Sequence, residues 1–409
     1  MDAGRFSLVY RESVHARGPG SVYLTALESA KGGLKMGEPK HLIVSCDGGG
    51  IRGIVTTLLL QDLQTKVPNF LGSVDVFAGT STGAIIALGL AGKVSIDTLV
   101  DLYKNPGNCG QIFPSGAATA TLTQDKKDAL RAVISRALMD IEAASDLSNW
   151  WSLLKEIIGQ LVGPIYSNEG RKALLQQYLS NGTLADLPNK ALVTTFQLNL
   201  KNAQGQPQWS PATFHNLTQN DSSATLVVDA AMCSSSAPLY FPPYQLPSGI
   251  LCCDGGVFAN NPSTIALGAF LSSNQLTPAG LSNVYLLSVG TGFNLSNFPY
   301  TPSDTTTDIL AAIPYGILGW LWPESEDPVP PFPLLDVMFD GTSAINDDVS
   351  GMLLPGPNYR RANVSLRESH IALDNCAKID TLVHKTQHYI KNNQSWQEIV
   401  EWAHTNFGD

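Results

Sequence analysis

His41–Leu90 reads HLIVSCDGGGIRGIVTTLLLQDLQTKVPNFLGSVDVFAGTSTGAIIALGL, and its texture decides the fold. His41–Cys46 is a short apolar run, a glycine cluster follows, and Ile51, Ile54, Val55, Leu58, Leu59 and Leu63 then recur at helical spacing. The unit repeats at once, with Val74–Ala78 as a strand, Gly79–Gly83 as a turn and an apolar helix from Ala84 to about Leu90. Consecutive strand–turn–helix units predict an α/β fold, in which a largely parallel sheet is covered by helices and ligands gather at the carboxyl ends of its strands. Strands are expected again at Ala191–Leu198 and Val284–Val289, with helical and connective chain over residues 100–190. Pro238–Pro247 reads as irregular, and the last forty residues read as helical, with Ser395 and Glu398 as a capping box. Residues 1–40 lack sustained periodicity and read as an N-terminal extension.

Composition narrows the function. Of 409 residues, 44% are hydrophobic and only 15% charged, which excludes a disordered chain or a coiled coil. The net charge of −10 argues against nucleic acid as a partner and against electrostatic docking on anionic lipid. No apolar run is long enough to span a bilayer, since the nearest, Ile309–Trp322, is broken by Pro314, Gly316 and Gly319. The six cysteines show no paired spacing, so reduced thiols in a cytoplasmic protein are expected.

The turn Gly79-Thr80-Ser81-Thr82-Gly83 has the G-x-S-x-G form of a nucleophile elbow, in which a tight strand-to-helix turn exposes the serine hydroxyl. The helix after it aims free N–H groups and a positive dipole end at a developing oxyanion. One unit earlier, Gly48, Gly50 and Gly53 satisfy G-x-G-x-x-G, a dinucleotide fingerprint. That reading needs an acid at the end of the second strand, where the serine turn stands instead, and Asp75 lies near the strand's start. The glycines therefore read better as an oxyanion hole made by bare backbone N–H groups, with Arg52 adding positive potential. Asp254-Gly255-Gly256 follows another short apolar run, which puts a candidate base at a strand end.

Together DGGGIRG (Asp47–Gly53), GTSTG (Gly79–Gly83) and DGG (Asp254–Gly256), in this order, resemble the patatin-like phospholipase family. DAAMCSSSAPLYFPP (Asp229–Pro243) and SVGTG (Ser288–Gly292) extend the likeness over roughly residues 40–370. The resemblance implies a three-layer α/β/α lipid acyl hydrolase, with Ser81 as nucleophile, Asp254 as base, and an oxyanion hole from Gly48, Gly49, Gly50, Arg52 and Gly53. It implies no metal and no cofactor. The expected organisation is an extension over 1–40, a catalytic domain over 41–370 with a helical insertion at about 100–165, and C-terminal helices over 371–409 packed on the same domain. The expected partner is lipid at a membrane or micelle surface. A homo-oligomer, an activating partner, and secretion as an effector stay open, as does a non-catalytic storage role for the same fold.

A Ser-His-Asp triad is the mechanistic rival, because His370, His384, His388 and His404 follow Asp254 in the chain. None sits at a recognisable strand-end turn, and His384 with His388 lacks the acidic residue of a zinc helix. Two apolar segments, Trp150–Val162 and Ile309–Trp322, are candidates for a lid, an acyl pocket or an interfacial patch, against core packing as the plainer reading.

Overall fold

The computed structural model describes residues 39–114, 164–274, 278–294, 332–354, 356–366 and 371–408. The extension up to residue 38, the stripe Trp150–Val162, the segment Ile309–Trp322 and His370 lie outside the described residues. From Lys40 onward the described residues form one compact unit.

In chain order the elements that build and flank the site are β1 (His41–Cys46), α1 (Gly53–Lys66), β2 (Val74–Gly79), α2 (Thr82–Ala91), α3 (Ile96–Lys104), α4 (Pro106–Ile112) and α5 (Asn168–Tyr178). They continue with β3 (Lys190–Lys201), β4 (Pro207–His215), α6 (Val227–Ser234), β5 (Tyr244–Gln245), β6 (Leu251–Asp254), α7 (Gly256–Ala259) and α8 (Ser263–Ser273). The last are β7 (Val284–Val289), α9 (Pro333–Leu353), β8 (Tyr359–Ala362), α10 (Ile379–Asn392) and α11 (Gln394–Phe407). The strands β8, β7, β1, β2 and β3 pair in parallel, in that order, whereas β4, β5 and β6 join antiparallel.

Side chains alternate across β1, and each face buries its own core. Leu42, Val44 and Cys46 pack with α1, α2 and α3, while Ile43 faces Leu267 and Phe270 of α8. The result is three layers, α/β/α. Helix α2 is buried along its whole length, which explains why its sequence is apolar throughout and shows no amphipathic stripe.

The sheet brings the two chemical turns together by an arrangement that local patterning does not contain. At Leu192 β3 pairs with β2 on one edge and β4 on the other, and at Thr195 with β4 and β6. Strands β2 and β6 therefore occupy the same edge of β3 and run toward each other. Gly79, at the end of β2, faces Val193, and Asp254, at the end of β6, faces Thr195. Two residues of strand are about 7 Å, so the serine turn and the acidic turn meet end to end.

Two expectations change. The final helix is capped by Asn393, whose side chain accepts from Trp396 N at 3.1 Å, and Ser395 lies inside the helix. Asn393 comes two residues earlier and is equally suited to capping. The cysteines are not all reduced: Cys109 on α4 is bonded to Cys376 before α10, with a Cα–Cα distance of 5.9 Å, while Cys46, Cys233, Cys252 and Cys253 are free and buried. A separation of 267 residues leaves no spacing signal to read. Structural disulfides persist in oxidising compartments, so the bridge removes the ground of the cytoplasmic expectation. Unfolded without reductant, the protein should offer four thiols to a maleimide and, after reduction, six. Six before reduction would show the bridge to be absent.

Candidate active site

Ser81 stands between β2 and α2 with φ 56° and ψ −120°, a conformation that a non-glycine residue adopts only when its surroundings enforce it. The enforcement is close packing. A Cβ at Gly83 would come within 2.6 Å of the Asp47 carbonyl oxygen and one at Gly79 within 2.5 Å of Ala84 N, so only glycines let the helix turn this tightly against β1. Thr80 donates to the Ala259 carbonyl at 2.7 Å and meets Thr194 Oγ1 at 2.7 Å. Thr82 donates to Tyr103 OH at 2.6 Å. The backbone N–H of Ser81 is held by Ser234 Oγ at 2.9 Å.

Asp254 lies behind the serine and is fully buried, while Ser81 retains 7% exposure. Its Oδ1 accepts from Gly256 N at 2.7 Å, and its Oδ2 has no hydrogen-bond partner of ordinary geometry. Burial pushes this carboxyl up to about 6, against the opposing influence of the Ser81 hydroxyl, the Gly256 N–H and the Arg171 guanidinium. The serine hydroxyl is thus near enough to favour the carboxylate, without a hydrogen bond of ordinary geometry between the two. Gly255 and Gly256 serve close approach, to Thr194 and to Phe339 of α9.

Gly48 N–H donates to the Asn260 carbonyl at 3.0 Å, and Gly53 N–H is taken by the Gly50 and Ile51 carbonyls, so both leave the expected donor set. Gly49 and Gly50 N–H have no partner among the described residues. Arg52 is 5% exposed, its Nε reaches the Gly49 carbonyl at 3.4 Å, and its charge acts on Asp336 and Asp340 of α9. It braces the loop from beneath. Gly53, without a side chain, lets Thr82 and Tyr103 close on α1.

Other residues at the site carried little sequence signal of a role. Arg361 on β8 forks onto Asp47 at 2.8 and 2.5 Å and donates to Ser288 Oγ at 2.8 Å, fixing the head of the glycine loop. Burial raises Asp47, and the guanidinium opposes the rise. Asn260 accepts from Gly48 and donates to Ser343 Oγ at 3.0 Å, and Asn261 Oδ1 gathers Ser45, Ser288 and Ser263. The pair Asn260-Asn261 follows the acidic turn closely, and that location was the one available clue.

An apolar cavity opens beside Ser81 and is lined by Ile85, Leu102, Phe113, Tyr240 and Phe241. Among the described residues no histidine reaches Ser81 or Asp254: His384 and His388 line a different cavity, with Arg361 and Asn363, and His404 lies on α11. Asp75, the acid that a dinucleotide reading would need, accepts from Leu42 N at 2.8 Å at the opposite end of the sheet. Among the described residues no cluster of three or more His, Cys, Asp or Glu could hold a metal, and no helix is long and apolar enough to cross a membrane.

Residues 44–267, more than half of the chain, match the family model described as patatin-like phospholipase. A cGAMP-activated phospholipase of Vibrio cholerae is 29% identical over 261 residues, covering 61% of this chain and 63% of that protein. Patatin-like protein 1 of Arabidopsis thaliana is 25% identical over 319 residues, covering 70% of this chain and 66% of its own. The matched stretch is thus under two thirds of either relative. Among solved structures, VipD from Legionella pneumophila aligns over 86% of this chain and 67% of its own at 12% identity, with a TM-score of 0.35, too low to bear on the site.

Proposed function

This chain belongs to the patatin-like phospholipase family, and from that membership we propose that it hydrolyses fatty acyl esters of phospholipids or related lipids through Ser81 and Asp254. The observation that carries the reading is the strained Ser81 turn, backed by a buried carboxylate with one free oxygen and opening on an apolar cavity.

The chemistry follows from those groups. Ser81 Oγ attacks the ester carbonyl carbon while its proton passes to Asp254 Oδ2. A carboxylate near pKa 6 cannot hold a standing alkoxide, so the transfer accompanies attack. The oxyanion is received by the N–H groups of Gly49 and Gly50, each such donor contributing about 3 kcal/mol in comparable sites. Collapse breaks the ester C–O bond, and the departing alcohol, a lysolipid for a phospholipid substrate, takes the proton from Asp254. Water then attacks the acyl-serine with Asp254 again as base, releasing fatty acid and restoring Ser81. Neither metal nor cofactor enters.

Incubation with a mixed lipid extract, followed by mass spectrometry, should show free fatty acid with matching lysolipid, and neither with Ser81→Ala. No acyl release from any lipid class, or equal release by the variant, would reject the reading.

The base must be ionised to act. Because burial raises Asp254, its carboxylate fraction falls as pH drops through about 6, and kcat/KM should fall about tenfold per unit below that value. Stability runs the other way: with the folded-state pKa raised from the ordinary 3.8 to about 6, the cost of ionising the buried carboxyl is absent below about 4, grows between the two values and is complete above about 6. An acid limb near 4 would mean that the group acting as base is not raised by burial.

A further inference from the structure

Arg171 on α5 is 2% exposed and has no carboxylate at ion-pair distance among the described residues. A buried guanidinium is costly unless its environment supplies acceptors. It finds two of them on one short turn. Nη1 donates to the Ser235 carbonyl and Nη2 to Ser236 Oγ at 2.9 Å, with Asn168 Oδ1 at 2.6 Å on its own helix. The group lies 4.0 Å over the ring of Phe241, and Nε has no partner.

The turn it grips touches both halves of the catalytic pair. Ser234 Oγ accepts from Ser81 N at 2.9 Å, the Ser236 carbonyl accepts from Asp254 N at 3.0 Å, and the Ser234 carbonyl accepts from Gly255 N at 3.4 Å. Its other end is tied to α6, since Ser235 and Ser236 hydroxyls donate to the Ala231 and Met232 carbonyls at 2.6 and 2.8 Å. Ser234–Ser236 is therefore a splint laid across the serine turn and the acidic turn, and the guanidinium is clamped on its outer side.

We propose that Arg171 is a positioning residue for hydrolysis, holding the Ser234–Ser236 turn that keeps Ser81 and Asp254 in register and standing as a fixed cation behind the base. The proposal rests on the Ser81–Asp254 reading. The groups that act on Asp254 are the Ser81 hydroxyl, the Gly256 N–H and the Arg171 guanidinium, with the Cys253 thiol beside it on β6; Arg171 in turn faces Cys233 and Tyr244. Arg171 supplies the one positive charge among them. Burial lowers its own pKa to about 9, which leaves it charged at neutral pH.

The experiment compares Arg171→Met, Arg171→Lys and Ser236→Ala in the full chain, measuring kcat and KM on one lipid ester, the acid limb, and labelling of Ser81 by a fluorophosphonate. In Arg171→Met, kcat and labelling should fall about a hundredfold, as misplacement of reacting groups by about 1 Å does, with KM nearly unchanged. The acid limb should move to higher pH, because the cation that favours the carboxylate is gone. Arg171→Lys should keep the parental acid limb and still lose kcat, since an ammonium cannot fork onto Ser235 and Ser236 together. Ser236→Ala leaves the guanidinium in place and removes one acceptor, so it decides the matter should the arginine variants fail to fold, and about a tenfold loss of kcat is expected. Parental kcat in Ser236→Ala and in whichever arginine variants fold would overturn the proposal. So would a rise in KM alone, which would make Arg171 a ligand-holding group. If Ser81→Ala and Asp254→Asn are also active, the dyad itself has failed; if they are dead while these variants keep parental kcat, only the role of Arg171 has.

Discussion

Ser81→Ala and Asp254→Asn should each lower acyl-ester hydrolysis by about ten-thousand-fold or more, the loss expected when one member of a nucleophile–base unit is removed. The two effects should not add, because each residue acts only through the other. Folding should survive both changes. Alanine at position 81 removes one oxygen from a side chain whose backbone N–H is already anchored by Ser234. Asparagine at position 254 retains an acceptor for Gly256 N, and it relieves the burial of a charge that raises the carboxyl to about 6. Above that pH the Asp254→Asn protein should therefore melt at the parental temperature or higher, although it is inactive. Calorimetry beside turnover measures both. Near-parental turnover by either variant in a well-folded state would remove the dyad.

Gly50→Ala should lower kcat by about a hundred- to a thousandfold, the size of effect seen when one oxyanion donor is lost. Gly50 has φ +57°, and a Cβ there would strike the Leu373 carbonyl oxygen and approach Leu373 Cβ at 2.8 Å. That carbonyl is already fixed, since it accepts from Ile51 N at 2.8 Å. The added methyl must push the loop away from the reacting carbonyl. Because the donors act more strongly on the tetrahedral state than on the bound ester, the loss should appear in kcat more than in KM. A serine-reactive phosphonate, whose phosphoryl oxygen stands in for the oxyanion, should label Ser81 rapidly in the parent and slowly in the variant. Unchanged labelling and kcat would dismiss the loop as the oxyanion hole.

The amino-acid sequence by itself determined the layered α/β plan, the strands His41–Cys46 and Val284–Val289, and the strand-to-helix location of the serine turn. Those features depend on side-chain period and on glycines at tight turns, which are properties of neighbouring residues. Only the tertiary structure decided which turn groups face one another. It set β6 antiparallel on the edge of β3 that β2 vacates, spent the Gly48 N–H on Asn260, and tied Asp47 to Arg361 and Cys109 to Cys376. Arg171 is the sharpest case: in sequence it is one cation on an ordinary helix, and in the fold two of its three acceptors lie 64 and 65 residues away, between the serine and the acid. The physical reason is that a hydrogen bond is exclusive and spatial. Whether a backbone N–H is free for an oxyanion depends on which distant carbonyl reaches it first, and no local pattern of residues encodes that.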